Sequence, residues 1–131
     1  MKEAFTLLNK ADRACESARV LLDLGDVDGA CNRAYYAMFD AARAALMFSG
    51  APEDAYRGKT HSGLITAFSL HLVKDGPIPR DMGRLLKQAE EIRLISDYQG
   101  DSVEMEDART LVDQAAAFLT LIRGLFQHPK D

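Results

Sequence analysis

The sequence has few of the residues and patterns that mark disulfide-rich, metal-binding or nucleotide-binding proteins. It has only two cysteines, Cys15 and Cys31, and neither belongs to a CxxC pair. We therefore predict two buried, reduced thiols, with a disulfide or a metal site as the alternative. The HExxH and Cys/His patterns of zinc sites, the glycine-rich loops that bind nucleotides and the GxSxG motif of serine hydrolases are all missing. We therefore expect no metal and no cofactor.

Long apolar runs and an excess of basic residues are also missing. No apolar stretch approaches the roughly 18 residues that cross a bilayer. The N-terminal stretch MKEAFTLLNKADRACESARVLL carries acidic and polar side chains throughout, unlike a secretory signal. We therefore expect a cytoplasmic protein with no membrane association. The formal net charge of -4 argues against a protein that coats nucleic acid by charge alone, but it is compatible with a local basic patch.

Strand patterns are nearly absent, whereas apolar residues recur every three or four positions along the chain. This spacing predicts helices over about residues 2–23, 26–48, 60–73, 80–98 and 103–126, with breaks that contain glycine or proline. Gly25 is expected to end the first helix in a left-handed conformation, and Thr60 to cap the third. The 131 residues are therefore predicted to form one all-α domain, residues 1–131, folded as an up-and-down bundle of four to five helices.

The second helix has three different faces when its residues are placed at about 100° intervals. The wide apolar face predicted for the core comprises Tyr35, Met38, Phe39, Ala42 and Leu46. The small-residue face, which another helix could approach closely, comprises Ala34, Ala37, Ala41 and Ala44. The polar face comprises Arg33, Tyr36, Asp40 and Arg43, which are spaced so that neighbours can touch. We interpret the polar face as a salt-bridged surface or a subunit seam, and a functional cleft is the alternative.

The end of the fourth helix is a second candidate for chemistry. Arg93 lies three or four residues from both Glu90 and Asp97 and can bridge to either carboxylate. Tyr98 follows at the helix end. The group is either an ion-pair network that caps the helix or an arginine–acid site that engages phosphate.

The start of the third helix is the most basic short stretch of the chain. Arg57, Lys59 and His61 surround a helix N-terminus, where free amide groups attract anions. The stretch could hold a phosphate, or it could be a capped helix start with solvated charges.

Three stretches together carry a resemblance to a known family. NRAYYAMFDAARAAL, KTHSGLI and MGRLLKQAEEIRLISDY follow the order and spacing of the small stand-alone HEPN-domain proteins of the UPF0332 type, and the resemblance covers about residues 5–125. It implies a helical bundle that dimerises and has a minimal nucleotidyltransferase as partner, often as a toxin–antitoxin pair. It also implies a metal-independent endoribonuclease. In that mechanism an arginine and a histidine are brought together across a dimer and act on the RNA 2′-hydroxyl and the scissile phosphate.

The sequence departs from the usual family motif, which is an arginine, four to six residues and then a histidine. The fourth helix has Arg93 followed by Asp97, and the second has Arg33 followed by Asp40, where relatives often carry histidine. A carboxylate with an ordinary pKa near 3.9 is a poor acid at pH 7 unless burial raises its pKa, and an adjacent arginine lowers the pKa. Both pairs are therefore better suited to a structural role or to weak base catalysis.

The resulting hypothesis is a HEPN ribonuclease toxin that forms a homodimer and pairs with a nucleotidyltransferase antitoxin. Arg93 and Asp97 are the candidate catalytic residues, and Tyr98 is the candidate site of modification by the partner enzyme. The candidate binding residues are Arg33, Tyr36, Asp40, Lys59 and His61. The first alternative is a non-catalytic HEPN module that binds nucleotide or RNA, or docks a nucleotidyltransferase. A purely structural oligomer is the second.

Overall fold

The computed structural model describes residues 2–58, 60–98 and 103–126, except for the side chain of Tyr98. Within these ranges the regular secondary structure is entirely helical, so the predicted all-α fold class is confirmed. The helices are α1 (Lys2–Asp23), α2 (Val27–Phe48), α3 (Glu53–Tyr56), α4 (His61–Phe68), α5 (Arg80–Tyr98) and α6 (Met105–Phe126). The four long helices α1, α2, α5 and α6 form the bundle.

Local capping explains where the helices begin and end. Gly25 follows α1 with a φ angle of +84°, the left-handed conformation that glycine adopts without strain, as its position predicted. The carboxylate of Asp26 accepts a hydrogen bond of 2.9 Å from the amide of Gly29 at the start of α2. The hydroxyl of Thr60 accepts one of 3.0 Å from the amide of Gly63, which confirms its predicted role as the cap of α4.

Two segments differ from the sequence prediction. The break after α2 contains the short helix α3, because a proline at its start is compatible with a first helical turn. The helix that begins at His61 was expected to continue regularly to about residue 73, but it changes to a π-helical segment over Ser69–Lys74. The spacing of apolar residues does not distinguish an α-helix from a π-helix over so few residues.

Helix α2 is the centre of the bundle and contacts all the other helices. All five residues of its predicted apolar face are buried, and so are the four alanines of its small-residue face. The contact between α1 and α2 is the most extensive of any pair. Alanine dominates the buried faces of both helices, and we call these residues the alanine seam: Ala4, Ala11, Ala14 and Ala18 of α1, and Ala30, Ala34, Ala37, Ala41 and Ala44 of α2.

Ion pairs connect the outer faces of the helices. Arg19 lies 2.8 Å from Asp113, and Arg123 pairs with Asp12, so both join α1 to α6. Arg57 reaches Glu3 at 2.8 Å and lowers the pKa of that carboxyl through a hydrogen bond. Such pairs at the protein surface contribute little to stability, because water and salt screen their charges. None of the described helices is both long and apolar enough to cross a bilayer.

The two cysteines differ in their environments, although both are free thiols. Cys31 is buried as predicted, and burial raises the pKa of its thiol to about 11. Cys15 is only partly buried, because it lines a groove of about 530 Å³ between α1 and α6. The prediction of two buried thiols is therefore wrong for Cys15.

Candidate functional site

An aromatic and charged cluster lies where α2, α4 and α5 meet. We call it the His61–Arg93 cluster; it comprises Tyr35, Tyr36 and Phe39 of α2, His61 of α4 and Arg93 of α5. The centroid of the His61 ring lies 4.5 Å from that of Phe39, 5.6 Å from that of Tyr35 and 5.8 Å from that of Tyr36. One chain therefore brings an imidazole and an arginine against the same tyrosine rings.

Each helix positions its members of the cluster by ordinary helical geometry. Tyr35 and Phe39 are four residues apart and lie above one another on the apolar face of α2. The Thr60 cap makes His61 the first residue of α4, so the imidazole enters the cluster from a helix start. On α5, Arg93 lies four residues after the buried Ala89, on the same inward face.

A hydrogen bond holds one nitrogen of the imidazole. The hydroxyl oxygen of Tyr35 lies 2.8 Å from Nδ1 of His61. Burial lowers the pKa of His61, the positive charges of Arg93 and Arg43 lower it further, and the negative charge of Glu90 opposes them. His61 is therefore a neutral imidazole at pH 7, a state in which it can accept a proton.

Tyr35 is completely buried, and its hydroxyl stays protonated. Burial raises the pKa of Tyr35, and the charge of Glu90 raises it further against the lowering effect of Arg93. Glu90 also lines a pocket of about 340 Å³ beside the cluster, together with Ser62 and Lys87. The carboxylate of Glu90 thus acts on both partners of the Tyr35–His61 hydrogen bond.

Arg93 is buried at 8% exposure, which is unusual for an arginine. The central carbon of its guanidinium lies 4.9 Å from the ring centroid of Tyr35 and 5.9 Å from that of Tyr36. One of its nitrogens lies 3.2 Å from the carboxylate of Asp97. Aromatic faces and a carboxylate stabilise the charge, so Arg93 is held rigidly in a site that an anion could use.

The predicted polar face of α2 is divided between different surroundings. Tyr36 belongs to the His61–Arg93 cluster, and the guanidinium of Arg43 lies 5.2 Å from the centroid of the Phe39 ring. Arg33 instead lines a groove of about 620 Å³ with residues of α1. The face is therefore not a single site.

The environment of Asp40 differs from the sequence prediction, which placed its carboxylate in salt bridges with two arginines. It is buried at 8% exposure, and it forms no ion pair with any residue that the structure describes. Burial raises the pKa of Asp40, while the charges of Lys10, Arg43 and Arg33 only oppose that effect. Burial therefore outweighs the neighbouring arginines, and the expected salt bridges on this face are not formed.

Two of the predicted residues lie outside the described part of the chain. Lys59 is one, and the side chain of Tyr98 is the other. Their predicted roles in binding and modification therefore stay predictions. Among the residues that are described, no group of three or more His, Cys, Asp or Glu side chains is arranged to hold a metal ion.

Sequence reasoning did not link three residues to this site. Tyr35 and Phe39 were assigned to packing alone, and Glu90 was considered only as a carboxylate beside Arg93. His61 was predicted to bind phosphate at a helix start, without any link to Arg93. A weak signal existed in the pair of adjacent tyrosines, because two neighbouring residues of a helix cannot both enter the same core face.

Comparison with known proteins agrees with this architecture. A model of the HEPN domain matches residues 4–125 of the chain. The chain belongs to the HEPN family. The matched range contains every residue of the His61–Arg93 cluster, so the cluster lies within the HEPN domain itself.

Several curated relatives match this HEPN chain over most of its length. The UPF0332 protein glr0978 of Gloeobacter violaceus is 35% identical over 117 residues, which are 88% of this chain and 89% of the relative. A UPF0332 protein of Thermotoga maritima is 30% identical over 123 residues, 92% of this chain and 89% of the relative. A Methanocaldococcus jannaschii protein named "Putative toxin MJ0605" is 29% identical over 122 residues, 93% of this chain and 87% of the relative.

Proposed function

We propose that this HEPN protein is a toxin that cleaves RNA without a metal ion, as a homodimer that pairs with a nucleotidyltransferase antitoxin. The observation that carries the proposal is the buried Arg93, ion-paired to Asp97 and beside a neutral imidazole. The names of two Methanocaldococcus jannaschii relatives, which describe candidate toxins, support the toxin role.

Arg93 binds the scissile phosphate in this proposal. A guanidinium keeps its charge when buried, and its planar fork matches two phosphate oxygens. Asp97 holds one guanidinium nitrogen at 3.2 Å and thereby orients the fork. We expect both residues to be required, so they remain the candidate catalytic pair.

The remaining predicted residues have supporting roles in this proposal. Tyr36 borders the guanidinium of Arg93 and offers its ring to an RNA base. Arg33, Asp40 and Lys59 remain candidate binding residues, and Tyr98 remains the candidate site of modification by the nucleotidyltransferase.

One observation favours a second function, a non-catalytic module that binds nucleotide or RNA or docks a nucleotidyltransferase. The carboxylate of Asp97 already pairs with Arg93 and repels a phosphate that approaches the same guanidinium. A module of this kind would need Arg93 for its fold and would leave RNA intact.

Cleavage of RNA in EDTA by the purified protein distinguishes the two functions. The proposal expects cleavage that is lost in both Arg93→Ala and Asp97→Ala, and Arg93→Lys tests the planar fork while the charge is kept. Arg84→Ala is the matched control, because Arg84 is an exposed arginine on the same helix. Circular dichroism of each variant verifies that the helices are intact. Intact RNA with the wild-type protein, or equal cleavage by Arg93→Ala, contradicts the proposal.

The proposed partners are tested separately. Light scattering at micromolar concentration is expected to give twice the mass of the chain, and a monomer contradicts the homodimer. Incubation with a nucleotidyltransferase and nucleoside triphosphate, followed by mass spectrometry, tests modification at Tyr98, with Tyr98→Phe as the control.

A further inference from the structure

We propose that Nε2 of His61 is the general base of this reaction, positioned by Tyr35 and Glu90 through the opposite side of the ring. The inference rests on the proposed function. It places the proton acceptor on His61 of α4, whereas Asp97 of α5 orients the guanidinium of Arg93.

The contacts of the imidazole leave one nitrogen available to a substrate. Nδ1 is engaged by the hydroxyl of Tyr35 at 2.8 Å, and Tyr35 is itself completely buried. The rings of Phe39 and Tyr36 flank the imidazole at centroid distances of 4.5 Å and 5.8 Å. These contacts restrict rotation of the ring, while His61 itself stays partly exposed. Nε2 is therefore the nitrogen that a bound RNA can reach.

The negative charge of Glu90 favours one of the two tautomers of His61. A carboxylate accepts hydrogen bonds and cannot donate them, so its charge favours a Tyr35 hydroxyl whose proton points away from His61. The proposal therefore places the proton of the 2.8 Å contact on Nδ1, which donates it to the Tyr35 oxygen. A neutral imidazole has one N–H group, so Nε2 is left with a lone pair.

The charged groups that face His61 favour this neutral state. Arg93 of α5 and Arg43 of α2 disfavour a second proton, and Glu90 of α5 partly offsets them. Tyr35 and Tyr36 are the other titratable neighbours, and both lie on α2. The two arginines that keep His61 neutral are also positive charges beside the place where a phosphate would bind.

The proposed step is an internal transesterification that needs no co-reactant. Nε2 takes the proton of the RNA 2′-hydroxyl, the 2′-oxygen forms a bond to phosphorus, and the bond from phosphorus to the 5′-oxygen breaks. The leaving 5′-oxygen gains a proton from water, and protonated His61 returns its proton to the solvent. The products are a 2′,3′-cyclic phosphate and a 5′-hydroxyl, and Arg93 faces the charge on the phosphate throughout.

The tautomer of His61 can be measured without any RNA. Long-range ¹H–¹⁵N correlation spectra of the full chain, assigned with His61→Gln, distinguish a proton on Nδ1 from one on Nε2. We expect the Nδ1–H form in the wild type and a change toward Nε2–H in Tyr35→Phe and Glu90→Gln. An Nε2–H tautomer in the wild type would overturn the proposed arrangement.

RNA cleavage tests the catalytic role itself. His61→Gln is expected to lower kcat by about 10²- to 10⁴-fold, the usual contribution of a general base. His71→Gln, which changes an exposed histidine, is expected to leave kcat unchanged. A His61→Gln variant whose kcat lies within threefold of the wild-type kcat would contradict the role of His61 as general base, but it would not contradict the ribonuclease proposal. A wild-type protein that leaves RNA intact would remove both.

The pH profile separates a positioning role from a purely structural one. Cleavage is expected to rise with pH as His61 loses its proton, with the midpoint below the ordinary value of 6.5. Glu90→Gln removes a charge that raises the pKa of His61, so the midpoint moves to lower pH. Arg43→Gln removes a charge that lowers the pKa, so the midpoint moves to higher pH. A midpoint that is unchanged in both variants contradicts the assignment.

Discussion

Helix α2 packs two faces against the rest of the protein, and these faces differ in chemistry. On the alanine seam every side chain is a single methyl group, and no polar atom has to be satisfied. In the His61–Arg93 cluster the Tyr35 hydroxyl and the Arg93 guanidinium are buried and the His61 imidazole is partly buried, so each needs a polar partner. One face of the helix therefore allows the backbone of another helix to approach closely, and the other face holds polar groups in fixed positions.

This difference indicates which face carries function. Burial of methyl groups stabilises the fold with no requirement for specific geometry beyond fit. A buried ion pair is weak evidence for stability, because well-packed apolar residues often serve as well. Apolar residues such as leucine could therefore stabilise this part of the fold about as well as the polar groups of the cluster do. The arrangement of those polar groups points instead to binding or catalysis.

Phe39→Ala is expected to have the largest effect on stability. Phe39 is buried and contacts both His61 and Arg43, so its removal leaves a cavity in the wall of the cluster. We expect a loss of about 3–5 kcal/mol in the free energy of unfolding, measured by urea denaturation. Phe5→Ala, at a ring with 39% exposure, should cost clearly less. Equal losses would mean that the cluster is not tightly packed.

Ala41→Leu tests the other face of the helix. Ala41 is completely buried in the alanine seam, so extra carbon atoms must displace a neighbouring helix. We expect a loss of about 1–3 kcal/mol in the same urea measurement. Ala117→Leu, at an exposed position of α6, is the matched control and should have little effect. A tolerated leucine at residue 41 would show that the seam is loosely packed.

Tyr35→Phe removes one oxygen atom and keeps the packing of the ring. The loss of its hydrogen bond to His61 is expected to lower the free energy of unfolding by about 1 kcal/mol. Calorimetry or urea denaturation gives the value, and Tyr56→Phe, on α3, is the control. A loss of several kcal/mol would show that the hydroxyl supports the fold rather than the chemistry of His61.

Asp40→Asn is expected to change stability least of these four variants, and it is expected to raise stability where the other three lower it. Because burial raises the pKa of Asp40 above 3.8, the folded chain retains this proton at pH values where the unfolded chain has lost it. Stability therefore falls as the pH rises through the folded-state pKa, and ionised Asp40 is unfavourable at pH 7. The variant should have a higher Tm than the wild type at pH 7, with a difference that narrows toward pH 3.8. A lower Tm at pH 7 would mean that the arginines outweigh burial.

Much of the fold could be predicted because it depends on local patterns. The spacing of apolar residues placed α1 at residues 2–23 and α5 at residues 80–98, as the structure has them. Gly25 and Thr60 marked helix ends through their own backbone and side-chain chemistry. The π-helical conformation of Ser69–Lys74 was not predictable in this way, because the apolar spacing of so few residues fits either kind of helical turn.

The candidate site could be predicted only in part. Arg93 and Asp97 are four residues apart on one helix, so their ion pair followed from sequence spacing. Their association with His61 did not, because 32 positions and a change of helix separate His61 from Arg93. The neutral state of His61 and the raised pKa of Asp40 also depend on burial, which is a property of the packed chain.

The amino-acid sequence by itself determined the four long helices, the caps at Gly25 and Thr60, the burial of the apolar face of α2 and the family of this HEPN protein. Each of these depends on residues that lie close together along the chain. Only the tertiary structure decided that Tyr35, His61 and Arg93 meet, that Arg33 faces a different groove, and that Asp40 is buried without an ion pair among the described residues. The physical reason is that distances between helices, and the loss of water around a charge, arise only when the helices pack together.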